Sequence, residues 1–492
     1  MTPRLCVTVT ASTTAELRRR RDAVRDADLV ELRLDSVSDP DVAGALADRR
    51  HPVILTCRPT WEGGEFRGGE TERRRLLGQA LTLGAEYVDV EWQAGFSELL
   101  QATAGKRVVL SSHDFGGVPT DLGDRVQAMR ATGAEMVKIA VKAARLSDCV
   151  VLRDLGRDAT RGQESRNLFI AMGEPGVATR VLPARFGSAW TYAGNLAGVG
   201  QLSPDDLIDT YRFRDVTDAT EIYGVVGSPV SHSVSPAMHN AAFRAAQRNA
   251  VYLPLAAADA DDFLAFARAM GVSGASVTIP FKRALFDRAD EAFAVARRIG
   301  ALNTLRLVGG LWIGDNTDAA GFLQPLEERG VVLKGLRASL LGAGGSARAV
   351  AVALAGSGAN VVLHARDRSR AEEVAEAVSG GVGPWPPERG TWDLLVNCTP
   401  IGMHPHVEAS PVAADALTGG MVYDLVYNPA ETRLLQDARR AGCRTVGGLD
   451  MLVAQAQEQF RWWTGEHPEP GVMRRAATRR LAEFKAHEDY VV

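Results

Sequence analysis

The sequence has very little lysine: of its 56 basic side chains only six are lysines, and the rest are arginines. An arginine cannot form an imine with a carbonyl, and its pKa above about 12 prevents it from relaying protons. The few lysines are therefore candidates for chemistry that needs an amine. Lys138 lies in the apolar run 136–141 and Lys282 follows the run 275–281, so we interpret these two as functional. We interpret the other four as surface residues: Lys106, Lys142, Lys334 and Lys485.

Cysteines, long apolar runs and excess positive charge are also scarce. The five cysteines are scattered without a CxxC pair, which argues against a disulfide framework or a zinc site and favours reduced thiols in a cytoplasm. No run reaches the roughly 18 uncharged apolar residues of a membrane span, and the first residues lead into a strand rather than a signal-peptide core. The formal charge of −4 provides no basic field for nucleic acid. We predict a cytoplasmic protein without a metal, membrane or nucleic-acid partner.

The first half of the sequence alternates strand-like runs with stretches rich in Ala, Leu and Arg. Such alternation over about 215 residues predicts an α/β fold of the compact (β/α)8 barrel type. The eight apolar, β-rich runs are 5–10, 29–34, 53–57, 87–91, 108–111, 136–141, 168–171 and 188–192.

Six polar residues lie on or near these runs, and a barrel of this type builds its active site at the carboxyl ends of its strands. They are Glu31 and Arg33 on the second strand, Arg58 at the end of the third, His113 at the end of the fifth, Lys138 on the sixth and Arg180 before the eighth. A lysine among apolar strand residues is pushed toward its neutral form, and a neutral amine beside a histidine suits Schiff-base chemistry on a ketone. Arg58 and Arg180 would hold an anionic substrate, most simply a carboxylate.

Five motifs in this half resemble type I 3-dehydroquinate dehydratase, in order and over residues 4–212. They are ELRLD at 31–35, RPTWEGGE at 58–65, SHDF at 112–115, KIA at 138–140 and FGSA at 186–189. The resemblance implies that Lys138 forms an imine with the substrate ketone, that His113 is the general acid/base and that Glu62 orients it. It also implies that the substrate is bound by Glu31, Arg33, Arg58, Arg180 and Gln201. One departure is Ala197, which replaces a serine typical of the family before its last helix.

The second half begins after a polar linker at 214–220 and contains a glycine-rich turn at 342–345 between a strand and a helix. Glycines there let the backbone approach a pyrophosphate at the helix N-terminus. The next strand leads into HARDRSR at 364–370, whose arginines favour the 2′-phosphate of NADP, although Asp367 is the kind of residue that NAD enzymes use. We predict NADP as the cofactor.

Two further patterns in this half indicate substrate binding and proton transfer. Ser235 is predicted as a helix N-cap with Pro236 at the first helical position, and together with Ser233 it would offer two hydroxyls to a small carboxylate. Lys282 and Asp318 form a pair that can pass a proton to or from an alcohol during hydride transfer.

This half resembles shikimate dehydrogenase over residues 221–465, with further motifs at 300–304, 397–403, 423–429 and 448–456. The resemblance implies that Lys282 and Asp318 are the catalytic pair. It implies that the substrate is bound by Ser233, Ser235, Thr278, Asn303, Asp318, Tyr427 and Gln455. It implies that NADP is bound by Gly342, Ala343, Gly344, Gly345, Ser346, Ala347, Arg366, Thr399, Met403 and Gly448. The family often has Asn-Arg-Thr where this chain has Ala365, Arg366 and Asp367, so discrimination against NAD is expected to be less strict.

The two resemblances together predict a fused enzyme of the shikimate pathway. The barrel, residues 1–215, would dehydrate 3-dehydroquinate to 3-dehydroshikimate, and the second half would reduce this ketone to shikimate with NADPH. The second half would consist of a substrate-binding lobe at 221–320, completed by helices at 449–487, and a Rossmann-like NADP lobe at 321–448. Two alternatives stay open: a dehydrogenase oriented toward quinate, and a non-catalytic metabolite sensor. The oligomeric state is left open.

Overall fold

A computed structural model describes residues 4–159, 166–196 and 199–489. These residues form two compact units. The first takes the described residues up to Ile222 together with Pro229–Ser231 and Asn249–Gly271, and the second takes Tyr223–Ser228, His232–Arg248 and the chain from Val272 onward.

The first unit contains a barrel of eight parallel strands in the order β7-β6-β5-β4-β3-β2-β1-β8. An isolated bridge joins Asn167 of β7 to Ser188, two residues before β8, so the barrel is nearly closed. Each strand overlaps one of the eight predicted runs, which confirms the predicted barrel. The strands are β1 Arg4–Val9, β2 Leu29–Arg33, β3 Val53–Thr56, β4 Tyr87–Glu91, β5 Val108–Asp114, β6 Met136–Lys142, β7 Asn167–Met172 and β8 Trp190–Ala193.

Helices cover the outside of the strands, so the strands are buried on both faces and read as nearly continuous apolar runs. In β6, for example, only Lys142 at the end of the strand is exposed. The helices of this part are α1 Thr14–Ala23, α2 Val42–Leu46, α3 Glu70–Thr82, α4 Ser97–Thr103, α5 Leu122–Ala131, α6 Asp148–Ala159 and α7 Val177–Val181. Short 3₁₀ or π segments lie at Thr60–Glu62, Trp92–Ala94, Glu174–Gly176, Pro183–Phe186, Asp206–Thr210 and Phe213–Asp215.

A mixed six-stranded sheet follows, in the order β10-β9-β11-β13-β14-β12. Its strands are β9 Glu221–Gly227, β10 Ala250–Ala256, β11 Val272–Val277, β12 Glu291–Ala292, β13 Thr304–Val308 and β14 Leu311–Asp315. Its helices are α8 Ser235–Ala245, α9 Ala260–Met270, α10 Lys282–Phe286, α11 Ala294–Ile299 and α12 Asp318–Glu328.

A parallel six-stranded sheet comes last, in the order β17-β16-β15-β18-β19-β20. The order reverses next to β15, which is where open α/β sheets bind ligands at the carboxyl ends of their strands. Its strands are β15 Arg337–Leu341, β16 Asn360–His364, β17 Gly381–Val382, β18 Leu394–Asn397, β19 Met421–Asp424 and β20 Arg444–Val446. Its helices, with the two C-terminal ones, are α13 Gly345–Gly356, α14 Arg368–Ala377, α15 Arg433–Arg440, α16 Gly448–Thr464 and α17 Val472–Asp489; a 3₁₀ turn lies at Ala414–Ala416.

Each part has an apolar core of its own. Inward-pointing residues of alternate barrel strands, such as Ile54, Val109 and Leu168, fill the barrel interior. In the last sheet, Leu340 and Val361 pack against Val350 of α13. Within the part of the chain that the structure describes, no helix is both long enough and apolar enough to cross a membrane.

Candidate active sites

The lysines separate by exposure as their sequence contexts predict. Lys138 is 5% exposed and the Lys282 side chain is 17% exposed. The other four are exposed: Lys106, Lys142, Lys334 and Lys485. The interpretation of these four as surface residues is therefore confirmed.

Lys138 lies inside the barrel, with acids beside its amine. Its Nζ donates a hydrogen bond to Asp89 Oδ2 at 3.0 Å and lies 3.7 Å from Glu31 Oε1 and 4.5 Å from the centre of the Tyr192 ring. The expectation of an apolar surrounding was wrong at the amine itself, because side chains of β2 and β4 also project into the barrel. The surroundings are apolar only along the strand that carries the lysine.

Glu31 is fixed close to Lys138 by two threonines. Thr8 Oγ1 donates to Glu31 Oε2 at 2.9 Å, and Thr56 Oγ1 donates to Glu31 Oε1 at 2.8 Å. Gln201 lies in the same region, with its Nε2 3.5 Å from Thr8 Oγ1. The structure thus brings the predicted catalytic residue Lys138 together with two of the predicted substrate-binding residues, Glu31 and Gln201.

His113 and Glu62 form a second contact in the barrel. Glu62 Oε1 accepts a hydrogen bond from the His113 backbone N–H at 2.6 Å and lies 3.1 Å from His113 Nδ1. Burial raises the pKa of Glu62 to about 7, and burial, with help from the charge of Arg58, lowers the pKa of His113 well below its usual value. His113 is therefore a neutral imidazole near pH 7. A proton on Nδ1, shared with Glu62, leaves Nε2 able to accept one.

Two arginines predicted to bind substrate are held by acids of the protein. Arg58 donates to Asp89 Oδ1 at 2.8 Å and to Glu91 Oε1 at 2.7 Å, and it is 3% exposed. Burial alone would lower the pKa of Arg58, but the two acids raise it above its usual range. Arg33 makes a two-pronged contact with Asp35, at 2.8 and 2.7 Å. The geometry gives both arginines partners that the sequence prediction did not include.

Arg180 is a buried cation of a different kind. It lies in α7, is 3% exposed, and donates from Nη2 to the carbonyl of Val199 at 2.7 Å. Its buried Nε has no hydrogen-bond partner among the described residues. Burial lowers the pKa of Arg180 to about 10, and no acid in the described part of the chain offsets this effect. Such a guanidinium is prepared to bind an anion from outside the protein.

Sequence reasoning missed the acids that organise this site. Asp89 and Glu91 are completely buried in β4. Ser111 Oγ links Asp89 to Arg58 by donating to Asp89 Oδ1 at 2.6 Å and accepting from Arg58 at 2.8 Å. A signal was present, because two acids in alternating positions of an apolar strand point to the same face. Ala197 lies outside the described residues.

The second unit brings Lys282, Asp318, Asn303 and Gln455 together. Lys282 Nζ forms an ion pair with Asp318 Oδ2, while Asn303 Nδ2 donates to Asp318 Oδ1 at 2.7 Å. Gln455 Oε1 lies 3.4 Å from the same amide nitrogen. Thr317, which the sequence analysis did not select, donates its backbone N–H to Asn303 Oδ1 at 2.7 Å and so fixes the orientation of the amide.

The serine pair has a different local structure from the prediction. Helix α8 begins at Ser235 itself with Val234 in the N-cap position, and it is Ser233 Oγ that accepts the Ser235 backbone N–H, at 3.2 Å. The prediction of Ser235 as the N-cap was therefore wrong, and Pro236, predicted at the first helical position, is the second residue of the helix. Thr278 follows β11, and Tyr427 follows β19.

The glycine-rich turn exposes its backbone and leaves space beside it for a ligand, and we call residues 342–347 the cradle. Gly342 has φ +105°, and a Cβ there would lie 3.0 Å from Thr399 Cγ2. A Cβ on Gly344 would point into open space, and one on Gly345 would lie 3.6 Å from Lys282 Cδ. The turn opens α13 next to the Lys282–Asp318 pair, so the backbone N–H groups and the pair face a common region. Ala343 and Ser346 are half-buried in this turn, and Ala347 is fully buried.

The remaining predicted cofactor residues surround this turn at the ends of the strands. Arg366 is exposed after β16, and Met403 is 45% exposed after β18. Asp367 is the N-cap of α14, where its side chain accepts the backbone N–H of Arg370 at 3.2 Å. A Cβ on Gly448 would lie 2.4 Å from the Leu425 carbonyl oxygen, so glycine is required there by packing.

Comparison with known proteins decides the family. The model of type I 3-dehydroquinase matches residues 5–218, that of the shikimate dehydrogenase substrate binding domain matches 225–305, and that of the shikimate 5′-dehydrogenase C-terminal domain matches 448–478. The chloroplastic bifunctional 3-dehydroquinate dehydratase/shikimate dehydrogenase of Arabidopsis thaliana is 36% identical over 482 residues, covering 89% of this chain and 78% of the relative. This chain belongs to the family of bifunctional 3-dehydroquinate dehydratase/shikimate dehydrogenases.

Single-function relatives match the second half. The NADP(+) shikimate dehydrogenase of Moorella thermoacetica is 45% identical over 275 residues, covering 53% of this chain and 93% of the relative. A crystal structure of a shikimate dehydrogenase in complex with NADP+ has a TM-score of 0.52 at 35% identity, covering 54% of this chain and 97% of that chain. The enzyme of Thermus thermophilus with NADP(H) and shikimate has a TM-score of 0.50 at 38% identity, covering 53% and 100%. The dehydrogenase half is NADP-dependent, and the fold is an α/β barrel followed by shikimate dehydrogenase-like domains. Within the described residues, no cluster of His, Cys, Asp and Glu could hold a metal ion.

Proposed function

We propose that the barrel dehydrates 3-dehydroquinate through an imine on Lys138, and that Lys282 and Asp318 exchange the proton of the alcohol in the reduction of 3-dehydroshikimate. The observation that carries the barrel assignment is Arg180, a buried guanidinium that faces no acid among the described residues. A substrate carboxylate would supply the missing negative charge. Val199, whose carbonyl accepts the Arg180 hydrogen bond, packs against the apolar cluster of the barrel strands. The amine of Lys138 also lies in the barrel, which supports covalent chemistry there.

The dehydration follows from the contacts around Lys138 and His113. Lys138 attacks the ketone carbon, and loss of water gives the imine. His113 Nε2 removes a proton from the carbon next to the imine, and the imine nitrogen draws in the electron pair. The electron pair then expels the hydroxyl on the following carbon, which leaves as water with the proton that His113 returns. Hydrolysis of the imine frees Lys138. Glu62 keeps His113 in the tautomer that this step requires.

In this proposal the acids of the barrel are positioning groups. Asp89 holds the Lys138 amine and Arg58, and Glu31, fixed by Thr8 and Thr56, lies near the same amine. Glu31, Arg33, Arg58 and Gln201 would contact the hydroxyl groups of the substrate. Arg180 would contact its carboxylate.

In the dehydrogenase half, the ion pair between Lys282 and Asp318 is the proton carrier. Asn303, held by Thr317, positions Asp318, and Gln455 contacts the same amide. Ser233, Ser235, Thr278 and Tyr427 would complete the binding of shikimate around them. When NADPH is bound it supplies the hydride, and Lys282 donates the proton that the carbonyl oxygen of 3-dehydroshikimate then takes up.

The cradle at the start of α13 fits the phosphates of NADP. The phosphates would be held by Gly342, Ala343, Gly344, Gly345, Ser346 and Ala347. Arg366 would bind the 2′-phosphate, and the rest of the cofactor would contact Thr399, Met403 and Gly448. Asp367 caps α14. This role accounts for an acid at this position, so Asp367 need not bind the ribose of NAD.

The division of the chain that we propose is a barrel at 1–215, a substrate lobe at 221–320 completed by helices at 449–487, and an NADP lobe at 321–448. The partners in this proposal are the three small molecules 3-dehydroquinate, 3-dehydroshikimate and shikimate, with no nucleic acid or membrane. The proposed location is the cytoplasm, which the free thiols of all five cysteines support; cell fractionation tests it.

Two variants of the full chain test the proposed function. Borohydride should trap 3-dehydroquinate covalently on the protein, and Lys138→Ala should abolish this adduct while NADP-linked oxidation of shikimate continues. Lys282→Ala should show the reverse pattern. An adduct that persists in Lys138→Ala would remove the imine from the mechanism. Comparison of shikimate and quinate as substrates separates the proposal from a quinate-oriented enzyme, and a sensor would show no turnover of either.

A further inference from the structure

A buried acid, Asp424, lies between two loops, the first of which contacts the glycine-rich turn. One loop follows β18 and carries Thr399 and Met403, which we assign to the cofactor. The other follows β19 and carries Tyr427, which we assign to the substrate. Asp424 ends β19, is 0% exposed, and lies directly opposite Asn397 at the end of β18.

Asn397 organises the cofactor loop. Its Oδ1 accepts the backbone N–H of Thr399 at 3.0 Å and the Thr399 hydroxyl at 2.6 Å. Its Nδ2 donates to the Ile401 carbonyl at 3.2 Å and to Asp424 Oδ1 at 2.9 Å. The Thr399 hydroxyl is thus used inside the loop, and its methyl group is the atom that limits the space at Gly342, at 3.0 Å.

Asp424 also accepts hydrogen bonds from the loop after β19, which carries Tyr427. Its Oδ1 also accepts the Val426 backbone N–H at 3.1 Å, next to Tyr427, and its Oδ2 accepts the Thr432 hydroxyl at 2.6 Å. Thr432 in turn is the N-cap of α15, because its Oγ1 accepts the Leu435 N–H at 3.3 Å. A backbone bond from His404 N–H to the Asn428 carbonyl, at 3.0 Å, joins the far ends of the same two loops.

The acid in this network has no charged partner. No basic side chain among the described residues forms an ion pair with Asp424, and burial raises its pKa to about 6 in spite of its three donors. An uncompensated buried carboxylate is costly to keep, and an apolar residue would fill the space at lower cost. Its three hydrogen bonds, each directed to a different part of the two loops, are what an apolar residue could not supply.

We propose that Asp424 is a positioning residue that joins the two loops, so that cofactor affinity and substrate affinity in the dehydrogenase depend on one carboxylate. It touches neither ligand. It acts through Asn397 on Thr399 and the glycine-rich turn, and through Val426 and Thr432 on the loop of Tyr427. This inference rests on the proposed assignment of Thr399 and Tyr427 to the two ligands.

The experiment uses the full-length chain, whose dehydratase activity reports on folding of the same polypeptide. NADPH fluorescence titration gives the Kd of the cofactor without turnover, and steady-state assays give KM for shikimate and kcat. Asp424→Ala should raise both Kd and KM about tenfold, which is the loss expected for one to two hydrogen bonds, with a smaller change in kcat and unchanged dehydration. Asp424→Asn, which keeps one acceptor oxygen, should lie between Asp424→Ala and the unsubstituted chain.

Two further variants keep the proposal falsifiable if Asp424→Ala does not fold. Thr432→Val removes the donor to Asp424 Oδ2 together with the side-chain cap of α15, and it should change Kd and KM in the same direction by a smaller factor. Asp437→Asn is a matched control, since this buried acid of the same lobe pairs with Arg433 and Arg440 on its own helix and should leave both constants unchanged. A change in Kd alone, in KM alone or in neither would overturn the coupling. Because the Kd is measured without catalysis, this result is independent of whether Lys282→Ala abolishes turnover.

Discussion

Asp89 Oδ2 lies 3.0 Å from Lys138 Nζ in the interior of the barrel. The other oxygen of the same carboxylate holds Arg58, at 2.8 Å. Asp89 thus neutralises the charges of both Lys138 and Arg58, and Glu91 forms a second ion pair with Arg58. The catalytic amine that we propose therefore belongs to a buried network in which every charge has a partner of opposite sign.

Replacing Asp89 with asparagine should damage both stability and dehydration. Burial alone would raise the pKa of Asp89, but Arg58 and Lys138 lower it below its usual range. A depressed carboxyl pKa stabilises the folded state above the unfolded pKa of about 3.9, and this contribution is lost as pH falls through the folded value. We expect Asp89→Asn to lower the free energy of unfolding by about 3 kcal/mol at pH 7, as for other broken buried pairs.

Urea unfolding at several pH values measures this effect, and the difference between Asp89→Asn and the unsubstituted chain should shrink below pH 4. Borohydride trapping by this variant should fall at least tenfold, while NADP-linked oxidation of shikimate continues. Equal stability of the two proteins at pH 7 would contradict the account of the network.

Ionisation of Glu62 should make the free energy of unfolding depend on pH near neutrality. Its pKa of about 7 lies above the unfolded value, so between about pH 4.5 and 7 the folded chain binds more protons than the unfolded chain. The free energy of unfolding should therefore fall as pH rises through this window, by at most about 3 kcal/mol, since one pKa unit corresponds to about 1.4 kcal/mol. Glu62→Gln should remove this slope.

The same substitution should remove the ionisation near pH 7 from the profile of kcat/KM for dehydration, because only the carboxylate form of Glu62 holds the Nδ1 proton of His113. Glu65→Gln, an exposed acid three residues away, is the control and should keep both the slope and the profile. A profile that is identical in all three proteins would remove Glu62 from the orientation of His113.

The barrel could be predicted from sequence because strands that are covered on both faces read as apolar runs. Lys138 and Lys282 could also be selected from the sequence, since a buried lysine is rare and the chain otherwise uses arginine. The partners of Arg58 could not be predicted in the same way. Asp89 and Glu91 come from a strand 31 and 33 residues further on, and only the closing of the barrel brings them to the guanidinium.

The N-cap of α8 was predicted wrongly for a different reason. Ser233 and Ser235 both precede a proline-containing turn, and either hydroxyl suits a cap by type. Which one accepts the free N–H depends on the backbone angles of the turn. Residue preferences do not specify these angles, and helix ends shift by one or two positions for the same reason.

Substitution of Arg180, unlike that of Asp89, should not lower the free energy of unfolding. Arg180 is a buried cation without an acid partner among the described residues, so Arg180→Met should leave the free energy of unfolding unchanged or raise it. The loss of the proposed carboxylate contact should raise KM for 3-dehydroquinate about 100-fold, corresponding to about 3 kcal/mol for a buried charged hydrogen bond. KM for shikimate in the same protein is the control and should not change. A destabilised variant with normal KM would assign Arg180 a structural role instead.

Arg366 should determine how strictly the dehydrogenase prefers NADP. It is exposed at the end of β16, and Asp367 beside it is engaged as the cap of α14. We therefore expect Arg366→Ala to raise the Kd of NADPH about tenfold, as for the loss of one charge-assisted hydrogen bond, and to leave the Kd of NADH unchanged. Arg368→Ala is the matched control, because Arg368 is exposed at the start of α14 but pairs with Glu372 at 2.9 Å. Fluorescence titration of both variants with both dinucleotides measures the ratio. If Arg368→Ala weakened NADPH binding more than Arg366→Ala, the 2′-phosphate would have to be assigned to the first turn of α14.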